Sequence, residues 1–144
     1  MRVLPPWQEI EQKALYLAVS GAVTSLFGDA HAAEIQPAVV FSDRGCAILR
    51  CRRGDEGDLC VACATVTAVG DFRVALRTVA VSGTIAALKG RMDGWIHALP
   101  PQEALYGEKE VRSFRYGRHK VDVLQEGIKK QSIVFLTDCE REEI

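Results

Sequence analysis

No apolar run in the 144-residue chain approaches the roughly 20 residues that a membrane-spanning helix requires. Its opening, MRVLPPWQEIEQ, lacks the basic start, apolar centre and small-residue cleavage site of a secretion signal, so a cytoplasmic protein is expected. There is no GxGxxG, no P-loop and no HExxH, which removes the common dinucleotide, nucleoside triphosphate and metalloprotease readings. His31, His97 and His119 stand apart from each other and from any nucleophile in a recognisable motif, so no protein active site is expected. The five cysteines are an odd count without a secretion signal, which points to reduced thiols. Cys60-Val61-Ala62-Cys63 has the CxxC spacing of metal and redox sites. A second CxxC and a nearby histidine are both missing, so the pair reads as small buried hydrophobes, with a thiol or metal site as the alternative. No metal or cofactor held by the protein is expected.

What is present is an ordinary globular composition, 48% apolar and 26% charged, in a length suited to one domain with a short appendage. The net charge of −1 argues against a freestanding nucleic-acid binder, but its distribution is uneven. Residues 1–43 carry −3, residues 44–91 carry +4 and residues 92–144 carry −2. A basic centre between acidic ends suits an anionic partner met by one face.

Residues 2–4 read as a strand end, stopped by Pro5-Pro6. Trp7 to Phe27 reads as a helix buried through Leu15, Val19, Ala22, Val23 and Leu26, widened by Ile10, Leu17 and Ala18, with Gly28 in the left-handed position that ends it. Glu34–Phe41 and Cys46–Arg52 read as strands joined by the turn Ser42-Asp43-Arg44-Gly45. A helix follows from Gly54-Asp55 to about Ala68, with Leu59, Ala62, Cys63 and Val66 inward. Phe72–Val81 reads as a strand and Ser82 to about Ala98 as a helix, ended by Pro100-Pro101. The order βαββαβ plus one helix predicts an α+β sandwich of the ferredoxin-like or RRM-like kind: one antiparallel sheet, a truncated first strand and an extra C-terminal helix. That domain is expected over residues 1–98. Residues 99–144 form an extension in which GEKEVRSFRYGRHK reads as loop or short helix. Lys120–Leu124 and Ser132–Thr137 form a possible hairpin across Gly127–Gln131, before an acidic end.

Chemistry concentrates between Arg73 and Met92. Strand-like alternation stops at Ser82-Gly83-Thr84, and Ile85, Leu88 and Met92 then repeat at helical spacing. Ser82 reads as the N-cap and Gly83 as a tight turn. The junction reads mainly as a structural cap, with phosphate contacts assigned to the basic side chains around it. Arg50, Arg52 and Arg53 end one strand, Arg73 and Arg77 share a parity on another, and Lys89 and Arg91 lie on the helix. Together with Ser82 these are the candidate RNA-binding residues, since a guanidinium offers phosphate two parallel donors. RNP-like aromatics are missing from both strands, so any RNA would be read by shape and phosphate rather than by base stacking.

Several of these runs resemble the archaeal ribonuclease P protein component 2 family. They are Val74-Ala-Leu-Arg77-Thr-Val-Ala-Val-Ser82-Gly-Thr-Ile85-Ala-Ala-Leu88-Lys89, Leu26-Phe27-Gly28-Asp29, Ala32-Ala33-Glu34-Ile35, Ala47-Ile48-Leu49-Arg50-Cys51 and Arg53-Gly54. The likeness covers roughly residues 7–92. It implies a non-catalytic protein subunit of an RNA-based endonuclease that removes 5′ leaders from precursor tRNA. The resemblance further implies that the RNA and its bound Mg²⁺ perform catalysis, and that the partners are ribonuclease P RNA, protein component 3 and other protein subunits, with precursor tRNA in the holoenzyme and no membrane. Members of the family begin with a basic leader and a full first strand, whereas here Arg2-Val3-Leu4 alone precedes the first helix, so an exposed neighbouring strand edge is expected. The competing reading from the residues is a ferredoxin-like small-molecule regulatory module that dimerises through its sheet. It predicts an apolar pocket and no basic patch.

Overall fold

A computed structural model describes residues 1–4, 8–96, 102–106, 108–116, 120–125 and 132–137. His97, His119, Cys139, the two Pro-Pro pairs, the Gly127–Gln131 turn and the acidic end lie outside the described residues. The chain divides into two compact units, Met1–Met92 and Asp93–Ile144.

In the first unit, β1 (Arg2–Leu4), β2 (Ala38–Asp43), β3 (Cys46–Arg50) and β6 (Ala75–Arg77) form one antiparallel sheet in the order β2-β3-β1-β6. With α1 (Gln12–Ile35) and α2 (Glu56–Thr65) in the connections, this is a ferredoxin-like fold. Arg44 and Gly45 both take positive φ, 45° and 76°, as a two-residue type I′ hairpin demands, so β2 and β3 pair from Asp43 and Cys46 outward. One irregularity between Val39 and Phe41 keeps Val39 and Leu49 facing the core beyond it.

The core lies between this sheet and the two helices. Val3, Val39, Ala47 and Leu76 from the sheet meet Leu15, Val19 and Val23 of α1 and Leu59, Ala62 and Cys63 of α2. The inward residues expected for α2 are all buried. On α1 the expected stripe holds at Leu15, Val19 and Val23, but Leu26 is 47% exposed and Leu17 is 59% exposed. Phe27, not Leu26, packs against the core at that end.

Several boundaries differ from expectation, among them the end of α2, which stops at Thr65 rather than about Ala68. The first helix begins at Gln12, not Trp7, and runs past Gly28 to Ile35, so residues 34 and 35 are helical and β2 starts only at Ala38. Gly28 does end the first helical segment, with φ 82° and ψ 165°, a conformation that glycine alone adopts without strain. A second segment then runs to Gln36, which closes it in the left-handed region at φ 51°. Gly28→Ala should therefore cost about 1–3 kcal/mol. Gly21→Ala, at an exposed position with no atom within 4 Å of the new methyl, should stabilise by about 0.5–1 kcal/mol. Thermal melts of the two variants check the opposite signs.

The strand expected over Phe72–Val81 is broken. β4 (Ala68–Val69) and β5 (Phe72–Arg73) form a separate two-stranded ribbon around Gly70. Val74 then turns inward, its N–H donating to the Thr67 carbonyl at 3.0 Å, and β6 keeps only three residues. The last helix of this unit, α3 (Ile85–Arg91), is short and followed by a 3₁₀ turn at Met92–Gly94. Its N-cap is Thr84, whose hydroxyl accepts from the Ala87 N–H at 3.3 Å. Ser82 instead accepts from the Thr84 N–H at 3.4 Å, so it shapes the approach to the helix and is not its cap. Ile85 and Leu88 of α3 and Met92 of the 3₁₀ turn are half-buried, the side their spacing implies, and no residue of α3 is fully buried.

The second unit is a four-stranded antiparallel meander in the order β10-β9-β8-β7, built from β7 (Gln102–Tyr106), β8 (Lys109–Tyr116), β9 (Lys120–Gln125) and β10 (Ser132–Thr137). The hairpin expected from β9 and β10 is present, paired from Ser132–Gln125 to Thr137–Lys120. The segment expected as loop is β8, the strand that joins β7 to β9. Val111, Val121 and Val123 form a small cluster on this sheet.

Candidate functional site

The eight candidate residues separate into three groups. Arg52 is neutralised locally: its Nε donates to Asp55 at 2.7 Å and its guanidinium lies 3.8 Å from Glu34. Arg50, Arg53 and Ser82 meet at a cavity of about 420 Å³. Arg73, Arg77, Lys89 and Arg91 lie elsewhere, all exposed. The shared parity of Arg73 and Arg77 does not place them on one strand, because the turn at Val74 puts Arg73 in the β4–β5 ribbon and Arg77 in the main sheet.

The sheet register fixes the face of Arg77. Val3 and Leu76 pair and both point into the core, so their neighbours Arg2 and Arg77 point to the opposite face, the one away from α1 and α2. Cys46 pairs with Arg2 on that face, and Ile48 and Arg50 follow by alternation. Arg50 lies four residues along β3 from this row, about 13 Å at the rise of a strand. Ile48 is 3% exposed although it faces away from α1 and α2, and it shares the cavity with Ile85 and Leu88 of α3.

Gly83 lets the Ser82–Thr84 bend approach Arg53. A methyl group on Gly83 would sit 3.3 Å from an Arg53 guanidinium nitrogen, and no other described atom lies within 4 Å. Arg50, Arg53, Arg73, Arg77, Lys89 and Arg91 form no ion pair or hydrogen bond among the described residues.

A second charged cluster joins the two helices. His31 lies between Asp58 at 2.8 Å on Nε2 and Glu34 at 3.2 Å on Nδ1, with its ring edge-on to Phe27. With a carboxylate at each nitrogen the imidazolium is favoured, and the hydrogen bonds to Asp58 and then Glu34 raise its pKa above the ordinary 6.5. Donor atoms of His31, Asp55 and Asp58 lie within 4.8 Å of one another, but Asp58 is engaged by His31 and Asp55 by Arg52. The sequence offered only the His31–Glu34 spacing of i, i+3; the Asp58 contact depends on the packing of α2 against α1. Because the folded pKa is raised, this stabilisation is present below about pH 6.5 and is lost as pH rises through the folded value. His31→Gln should therefore lower the melting temperature more at pH 6 than at pH 9; equal losses at both would refute the link.

Cys60 and Cys63 differ in setting. Cys63 is fully buried in the core, and burial pushes its thiol up to about 12, which keeps it protonated at neutral pH. Cys60 is half-buried at the cavity wall. Neither belongs to the one three-residue group of metal-type donors found among the described residues.

The antiparallel sheet with two helices on one face places the Met1–Met92 unit in the class of ferredoxin-like α+β proteins. The family model of the Rpp14/Pop5 family matches residues 1–92, and the chain belongs to that family. Ribonuclease P protein component 2 of Methanoculleus marisnigri is 51% identical over 143 residues, covering 99% of this chain and 89% of that protein. Its counterpart in Methanosphaerula palustris is 40% identical over 146 residues, covering 98% and 88%. The counterpart in Methanocorpusculum labreanum is 46% identical over 81 residues, covering 56% and 55%. No solved structure matches. Among the described residues no helix is long and apolar enough to cross a membrane.

Proposed function

We propose that the chain is a non-catalytic protein subunit of ribonuclease P, supporting the catalytic RNA as it removes 5′ leaders from precursor tRNA. The observation that carries the reading is the set of six cations, without a partner among the described residues, within the same stretch that matches the family. Arg73, Arg77, Lys89 and Arg91, exposed on the ribbon, the sheet edge and α3, take RNA phosphate, and the cavity between β3 and residues 78–88 docks a protein partner. Mg²⁺ enters through the RNA, and protein component 3 is the partner the resemblance implies. The regulatory-module alternative gains support from the cavity, but it gives no role to the exposed cations.

Reconstitution tests the reading. Adding the chain to ribonuclease P RNA and the other protein subunits should raise precursor-tRNA cleavage at low Mg²⁺ and lower the Mg²⁺ concentration required. No change in either quantity would defeat the assignment.

A further inference from the structure

The β4–β5 ribbon is held at its base and open at its tip. Val69 and Val74 are buried in the core, and the Val74 N–H closes the base on the Thr67 carbonyl at 3.0 Å. The four residues between the two valines, Gly70, Asp71, Phe72 and Arg73, are all exposed. Phe72 pairs directly with Val69, so the two side chains leave the ribbon on the same face. Val69 is shielded, yet Phe72 is 47% exposed, so its ring extends past the core with much of its surface in water. Arg73 pairs with Ala68 and leaves the ribbon on the opposite face. Phe72 is also the one aromatic residue in the basic stretch 44–91.

We infer that Phe72 stacks on one unpaired base of the RNA while Arg73 takes an adjoining phosphate. The inference rests on the reading of the chain as a ribonucleoprotein subunit. A ring flanked by a carboxylate and a guanidinium lacks the apolar neighbours of a protein-docking patch. It does match a nucleotide, whose base offers a flat face to the ring and whose phosphate accepts from the guanidinium. Ring and guanidinium stand on two sides of the tip, so a strand crossing the tip meets both in succession. Asp71 offsets the charge of Arg73 there, and the ring adds an attraction that charge does not supply. The platform is the ribbon, outside the main sheet whose strands lack RNP-like aromatics. A duplex keeps its bases stacked on one another, so the matching element is a single-stranded loop, bulge or end.

Binding of the full chain to ribonuclease P RNA, measured across a salt series with the other protein subunits present, tests this. Phe72→Ala should weaken binding by about 5- to 100-fold, the loss expected for one stacked base. The slope of log K against log salt should not change, because no phosphate contact is lost. Arg73→Gln should instead flatten that slope by about one. Phe72→Trp should bind as the parent does, and Phe72→Leu, which keeps apolar bulk without a π face, should bind as weakly as Phe72→Ala. Equal binding by Phe72→Ala and the parent overturns the inference and leaves the ribonucleoprotein reading intact. Parent-like binding by Phe72→Leu overturns it as well, since any apolar side chain would then serve. A loss confined to the association of the protein subunits would make the ring a protein contact and overturn it. A parent chain that neither binds this RNA nor raises its cleavage overturns the ribonucleoprotein reading and this inference together.

Discussion

Leu15→Ala should destabilise the Met1–Met92 unit by about 3 kcal/mol and lower its melting temperature by roughly 12–24 °C. Leu15 is fully shielded and packs where α1 meets both the sheet and α2. Truncation removes the burial of the lost carbons and leaves a void that a sheet held by a type I′ hairpin and two helices cannot close. Leu17 lies two residues away but is 59% exposed, so Leu17→Ala should stay within about 0.5 kcal/mol of the parent. Denaturant or thermal unfolding of both variants compares the sites directly. Similar losses at the two positions would mean that the helix is rotated from the orientation described.

The second large effect concerns RNA. Replacing Arg73, Arg77, Lys89 and Arg91 together with glutamine should weaken binding to ribonuclease P RNA most at low salt. The slope of log K against log salt should become shallower by about 3–4, close to one unit per phosphate contact. The curves should converge as salt rises, because the lost contacts are those that release counterions. Arg52→Gln serves as the contrast. Its charge is already met by Asp55 and Glu34, so the slope should hardly change. A quadruple variant with the parent's slope would remove these four residues from the RNA interface.

The ferredoxin-like order was legible because its signals are local: Asp43-Arg44-Gly45 for the hairpin, the spacing of Leu15, Val19 and Val23 for α1, and that of Leu59, Ala62 and Cys63 for α2. The failures share a cause in long-range packing. Phe72–Val81 alternates well enough for one strand, yet Val74 is drawn to Thr67 and splits the run in two. The polar segment around Lys109–Tyr116 becomes a strand because β7 and β9 bracket it, and its own apolar content is low. Ser82 met the local requirement for a cap, but Thr84, two residues later and equally suited, took the position.

The site shows the same division. Arginine content and the basic centre were readable, whereas the sorting of Arg52 into an ion pair, and of Arg50 and Arg53 into a cavity wall, required the fold.

The central position of β1 also bears on synthesis. Arg2 is made before both of its neighbours in the sheet, Cys46 and Arg77. The α1 segment and the β2–β3 hairpin depend on nearby residues and can form early, while the sheet closes only after β6 has been made. Until then an open strand edge waits beside partly covered apolar residues, the condition under which nascent chains misassociate. Non-local closure of this kind also slows folding relative to helical domains of the same size. A partner or RNA that engages the chain late in translation would therefore meet a sheet whose last strand has just arrived.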